Sequence, residues 1–214
     1  SVGLDSFYRF VEFKQNLNKR SVGHNKNFGA VAEEQITLKN ISLLRGDTFV
    51  FEKYSEQISL GESVYITGPS GTGKTSLLAL IGGGISPSSG EVSLPNSIVS
   101  KYEDGDYFCY VSQAPVFFEG TLYENLSMLC KTPPRTDLIY QMLREVKLDI
   151  WFEQLPDGME TLFQLEDTMA SVGQRQRLAI VRAILAQRPI MLFDEVTRAL
   201  DDENKVICLD FISR

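Results

Sequence analysis

Histidine is nearly absent: His24 is the only one in the chain. One imidazole leaves no room for a histidine-rich metal centre. His24 lies in the polar stretch from Ser21 to Gln35, where a solvated side chain is the simplest reading. Cysteine is scarce as well. Cys109, Cys130 and Cys208 are scattered and odd in number, which excludes ligand spacing and a disulfide framework. Each reads as a small buried hydrophobe in a reducing compartment. Positive charge is in deficit, with 21 Lys and Arg against 28 Asp and Glu and a net charge of −7. A nucleic-acid binder usually shows the opposite balance. No run approaches the roughly 18 consecutive apolar residues of a membrane span, and there is no signal peptide. The chain opens on Ser1 rather than Met and stops at "FISR", so a piece of a longer chain is expected.

What remains is a globular composition, 43% hydrophobic and 23% charged over 214 residues. That is enough for one large domain or two small subdomains. Leu4, Phe7, Tyr8, Val11 and Leu17 follow helical spacing, so an amphipathic helix is expected at the start, followed by a polar linker. From Ile36 the pattern turns β-like through "ITLKNISLL", "TFVFEKYSEQISL" and "SVYIT". A helix is expected from about Gly73 to Ile81, then a turn-rich connection, "GGGISPSSGEV", and a strand in "DYFCYVS". "TLYENLSML", "TDLIYQMLREVKL" and "DIWFEQL" look helical, and "VGQRQRLAIVRAILAQ" is the longest helix candidate. "IMLFDE" reads as a strand buried on both faces, and "DDENKVICLDFIS" as a final helix. There is no internal repeat.

The stretch "GPSGTGKT", Gly68 to Thr75, places three glycines and a lysine straight after the strand "SVYIT". Glycine lets backbone N–H groups close on an anion, because it lacks a Cβ and tolerates positive φ. The helix behind it adds unpaired amides and a favourable dipole. Lys74 can neutralise β- and γ-phosphates, and the Thr75 hydroxyl can ligate Mg²⁺. An ordinary tight turn needs neither eight residues nor a lysine. Further on, Asp194 and Glu195 end an apolar strand, at the edge where α/β folds place ligands. Asp194 can hold Mg²⁺ through water, and Glu195 can polarise a water that attacks the γ-phosphate. Taken alone, the two acids could equally cap the next segment.

"ASVGQRQRLAIVRAIL" narrows the class. Ser171 is a plausible N-cap, with Gly173 and Gln174 in the first turn of a long helix. That tip offers a second anion site. If each nucleotide uses one device from each of two chains, a head-to-tail pair of twofold symmetry results. The bland alternative is a capped core helix packing Leu178, Val181 and Leu185 inward.

From about Ile36 to its end the chain resembles the nucleotide-binding domain of ATP-binding cassette (ABC) transporters, of the exporter kind. "GPSGTGKT" is similar to the Walker A loop, and Gln113 in "YVSQAPVFFEGTLYENL" to the Q-loop. "ASVGQ" stands where the family has LSGGQ, "IMLFDE" is similar to Walker B, and "RALD", Arg198 to Asp201, to the D-loop. The resemblance implies an α/β fold with a P-loop NTPase core: a mixed sheet with flanking helices and an antiparallel β subdomain. It implies an ATPase domain over residues 35–214, interrupted by a helical subdomain at about 114–170. Residues 1–34 would be the tether helix and linker from a preceding membrane domain. ATP and Mg²⁺ are the implied cofactors. Gly68, Pro69, Ser70, Gly71, Thr72, Gly73, Lys74, Thr75 and Ser76 would cradle the phosphates. Ser171, Gly173 and Gln174 would contact the nucleotide of a partner cassette, and Asp201 would communicate across that dimer. Thr75, Gln113 and Asp194 would hold the metal, and Glu195 would be the general base, acting with Lys74 and Gln113. The implied partners are the transmembrane domain of the same transporter and a second cassette, not nucleic acid. The implied location is the cytoplasmic face of a membrane.

Five departures stand out. Ala170 replaces the leucine of the signature, which removes some packing. Val172 replaces the first glycine of the signature and, being β-branched, would resist positive φ. The family's switch histidine lies farther beyond the Walker B glutamate than this sequence extends. No aromatic stands near Leu43 to Arg45 to stack on adenine, which leaves Arg45, Phe49 or Tyr54. "TLFQLED" matches the exporter glutamate–glycine loop poorly. Two alternatives follow: a degenerate cassette that binds ATP and dimerises without turnover, and a soluble ABC ATPase of translation or DNA repair. The short stretch between Lys74 and Ser171 and the acidic charge oppose the second.

Overall fold

The computed structural model describes residues 8–12, 29–31, 34–102, 106–163 and 169–213. The chain divides into two compact units, one ending at Tyr107 and the other beginning at Phe108.

The first unit is mostly β. Strands β1 (Tyr8–Glu12), β2 (Gly29–Val31), β3 (Gln35–Arg45), β4 (Thr48–Ser59) and β5 (Ser63–Thr67) precede helix α1 (Lys74–Ile81). Strand β6 (Ser89–Pro95) and helix α2 (Asn96–Lys101) complete it. One sheet runs in the order β2-β6-β3-β4, with β3 antiparallel to both neighbours and β2 parallel to β6. Ile36, Leu38, Ile41, Phe49 and Phe51 are buried there, the alternation that a half-buried strand requires.

Three expectations fail in this unit. The opening segment is a strand at Tyr8–Glu12, not a helix, and it pairs in parallel with β5, Tyr8 opposite Ser63. Pairing with a strand some fifty residues on decides its state, and local apolar spacing over five residues cannot separate the two periods. Leu4, Phe7 and Leu17 lie outside the described residues, as does His24. The linker holds a strand as well, β2. Within "GGGISPSSGEV" the turn-rich reading misses the start of β6 at Ser89.

The second unit comprises β7 (Phe108–Val111), β8 (Gly120–Thr121), α3 (Leu122–Ser127), α4 (Thr136–Glu145), α5 (Asp149–Glu153), a 3-10 turn at Gly158–Glu160 and β9 (Leu162–Phe163). It continues with α6 (Val172–Leu185), β10 (Ile190–Phe193) and α7 (Asp202–Ile212). β7 and β10 pair in parallel, Val111 opposite Phe193. Helix α6 is the spine. Leu178, Ala179, Ile180, Val181, Ala183 and Leu185 are all buried, so the helix is covered on nearly every side. Leu122, Leu126, Ile139, Leu143, Leu148, Cys208 and Phe211 share that core. Each fully buried leucine contributes about 1.5–3 kcal/mol. Thr121 and Glu124 form a capping box that starts α3.

β10 corrects another expectation. Its burial alternates, with Ile190 and Leu192 inside but Met191 38% exposed. Ile190 and Leu192 point to one face of the strand and Met191 to the other, as the period of two dictates.

Candidate functional site

The sequence-marked residues fall in both units, and each group is built within its own.

In the first unit β5 ends at Thr67 and α1 begins at Lys74, so the glycine loop is the whole connection. Gly73 is the N-cap of α1 and has φ 98°, in the left-handed region. A Cβ at Gly73 would run into the Val50 side chain, so both backbone and space demand glycine. Gly71, at φ 81°, faces open space. Among the described residues no side chain caps the N-terminus of α1. Its first-turn amides have no intrahelical acceptor, and an anion can fill that role. The Lys74 Nζ bends back over the loop, donating to the carbonyls of Gly68 and Pro69 at 2.9 Å each. Thr72 Oγ1 donates to Pro69 O at 2.9 Å and tightens the turn. Thr75 is exposed, Ser76 is buried, and Pro69 and Ser70 are exposed at the loop tip. This is a cradle of amides with a cation over it, a fit for a polyphosphate.

Of the three adenine-stacking candidates, Phe49 is committed to the core and Tyr54 Oη donates to Glu56 Oε2 at 3.4 Å. Arg45 is exposed at the end of β3.

In the second unit β7 and β10 run parallel, so Gln113, Asp194 and Glu195 follow the same sheet edge. Asp194 extends the ladder, its N–H donating to Val111 O at 2.9 Å. Asp194 is buried, only 8% exposed. Tyr110 Oη donates to Asp194 Oδ2 at 2.9 Å. Burial, then that hydrogen bond and the neighbouring negative charge, push the Tyr110 hydroxyl up to about 12, so it stays a donor at neutral pH. Local sequence reading does not single out Tyr110. Its partner lies 84 residues away, and only the β7–β10 register brings them together.

Glu195 is exposed and holds φ 48°, a region costly for a residue with a Cβ. Its Oε2 accepts from Arg198 Nη1 at 3.0 Å. Both side chains are well exposed, so the pair contributes less than about 1 kcal/mol.

The tip of α6 follows the expected cap. Ser171 Oγ accepts from Gln174 N at 3.2 Å, and Gln174 Oε1 accepts from Ser171 N at 2.7 Å. That capping box occupies the Gln174 side chain in the helix itself. The Ser171 hydroxyl keeps its proton to donate outward. Ser171 and Val172 are exposed. Val172 is the first helical residue and is not among the positive-φ residues, so the β-branched side chain is tolerated there. Gly173 packs against the Ala199–Leu200 turn: a Cβ there would lie 3.3 Å from Leu200 Cδ2. Asp201 caps α7, accepting from Asn204 N at 2.9 Å. Hydrogen bonds from Asn204 hold its carboxyl below the usual carboxylate range.

Ser171→Ala removes one half of the capping box. The expected loss is about 1 kcal/mol of unfolding free energy, read by urea denaturation, while Ser171→Thr retains most of it.

Comparison with known proteins bears on the family and the fold. The family model described as ABC transporter matches residues 51–198. A mycobactin import ATP-binding/permease protein, IrtB, of Mycolicibacterium thermoresistibile is 34% identical over 185 residues, covering 85% of this chain and 32% of that protein. An ATP-dependent lipid A-core flippase of Psychrobacter arcticus is 35% identical over 178 residues, covering 80% and 29%. The transport/processing ATP-binding protein ComA of Streptococcus pneumoniae is 35% identical over 187 residues, covering 79% and 26%. The chain thus spans about a third or less of the length of these relatives. Among solved structures, a bacterial Atm1-family ABC exporter with ATP bound superposes with a TM-score of 0.72 at 23% identity, covering 90% of this chain and 35% of that one. At that identity the likeness speaks for the fold. With a family model matching most of its length and relatives above 30% identity over four-fifths of it, this chain belongs to the ABC transporter family.

Proposed function

We propose that this chain is the ATP-binding and ATP-hydrolysing cassette of a membrane transporter. Two cassettes would close head to tail around a pair of ATP molecules and drive export of a substrate. The observation that carries the reading is the uncapped start of α1 behind a left-handed glycine, with Lys74 over the loop. The loop amides and Lys74 bind and orient the β- and γ-phosphates. Thr75, Gln113 and Asp194 are the residues that would hold Mg²⁺, which neutralises phosphate charge when bound. Tyr110 keeps the Asp194 carboxylate oriented. Glu195 takes the proton of the attacking water, and the exposed Ser171 tip meets the γ-phosphate held by the other cassette. Residues 1–34 tether the cassette to a membrane domain, and the α3–α5 region receives it on the cytoplasmic face. The named relatives support a transport role, and the exporter-like "FFEGTLYENL" supports export.

A second reading is a cassette that binds ATP and dimerises without turnover. The Arg198 guanidinium on Glu195 favours it, since its hydrogen bond occupies a carboxylate oxygen that would otherwise face the attacking water.

Titration of a fluorescent ATP analogue into the full chain tests the proposal. Saturable binding strengthened by Mg²⁺, with Mg²⁺-dependent phosphate release, is the expected result. A chain that binds no nucleotide at any Mg²⁺ concentration sinks both readings.

A further inference from the structure

Gln176 lies one turn into α6 and is buried, at 2% exposure. A buried amide side chain must be satisfied on both ends. Here the two ends reach two different loops. Its Nε2 donates to the Gln113 carbonyl at 3.2 Å. Its Oε1 accepts from the Ala199 N–H at 3.3 Å. The orientation is fixed by chemistry: a flipped amide would set N–H against N–H and oxygen against oxygen.

The neighbouring contacts reinforce this junction. Gly173 already abuts Ala199 and Leu200 from the same helix. Nine residues beyond Gly173, Arg182 Nη1 donates to Val116 O at 3.0 Å, and its guanidinium lies 4.7 Å from the Phe117 ring centre. Helix α6 therefore holds the Gln113–Phe117 segment at both ends and the Ala199 turn at one. That turn runs from Glu195 to Asp201 and is closed locally by Arg198 N to Glu195 O at 3.0 Å and Leu200 N to Thr197 O at 3.2 Å. The Ala199 N–H is bound by Gln176 instead.

We propose that Gln176 is a positioning residue that sets the Glu195–Asp201 turn from the Gln113 loop through one buried amide. It touches no reacting atom. It deepens the functional reading above and rests on that reading for its effect on turnover. A shift of the Gln113 carbonyl reaches the segment bearing the general base through a single side chain, without any change in the nucleotide cradle.

Two variants of the full chain test this. Gln176→Glu keeps the acceptor for Ala199 but loses the donor to Gln113. Gln176→Met keeps the length and loses both. Turnover is expected to fall at least about tenfold in each, with nucleotide affinity within about threefold of wild type. Hydrogen exchange is expected to quicken in peptides covering Gln113–Phe117 and Arg198–Asp201, while the interior of α6 stays protected. Unchanged turnover and unchanged loop exchange overturn the proposal. So does a Gln176→Glu variant in which affinity, turnover and α6 protection fall together, because that marks a packing role only. If wild type neither binds nor hydrolyses ATP, the functional reading fails, and loop exchange alone then decides for or against the bridge.

Discussion

Glu195→Gln is expected to lower ATP turnover by about 100-fold or more while leaving nucleotide binding intact. The substitution preserves shape and removes only the ability to take a proton. The fold tolerates it, because the side chain is exposed and its ion pair with Arg198 is a surface contact. The left-handed backbone at φ 48° is no harder for glutamine than for glutamate. Single-turnover phosphate release and analogue titration, run side by side, read the two quantities. The variant should accumulate ATP-bound dimers, visible by sedimentation. If wild type and variant release phosphate at the same rate, the non-hydrolysing reading replaces the enzyme reading.

Gly73→Val should destroy nucleotide binding and cost stability as well. Two effects add. A β-branched residue is forced to φ 98°, and its side chain is driven into Val50. Together these are worth about 3 kcal/mol or more. Gly71→Ala is the informative comparison. Its φ of 81° imposes backbone strain, but its Cβ points into open space, so about 1 kcal/mol is expected. Urea denaturation gives both costs. A Gly73→Val protein with wild-type stability would mean that the loop does not adopt the left-handed turn on which the cradle depends.

Much of this was legible in the residue order, for identifiable reasons. The Gly68–Thr75 loop announces itself because glycine, lysine and a following helix each answer one need of a polyphosphate. The start of α6 was readable from Ser171 and Gln174, three residues apart, since a capping box is a local contact. What escaped is non-local. Tyr8–Glu12 is a strand only because β5 offers it a partner. β6 hides behind Gly90 and Pro95, residues that strands seldom contain. Met191 is open because β10 turns alternate residues to opposite faces, and Ile190 and Leu192 are the ones that are covered. The Tyr110 bond to Asp194 and the Gln176 bridge depend on strand register and helix rotation, neither of which is carried by any short stretch. Val172 is tolerable at a glycine position because the first helical residue needs no positive φ.

The most direct test of the account mixes two broken chains. In a Glu195→Gln background, Lys74→Ala removes the cation over the cradle and Ser171→Arg blocks the helix tip. Neither chain alone should retain ATP through gel filtration. If each nucleotide is held between the lysine loop of one copy and the serine tip of another, an equimolar mixture rebuilds one intact site per mixed pair and retains ATP. A mixture that retains no more ATP than either chain alone would contradict the account.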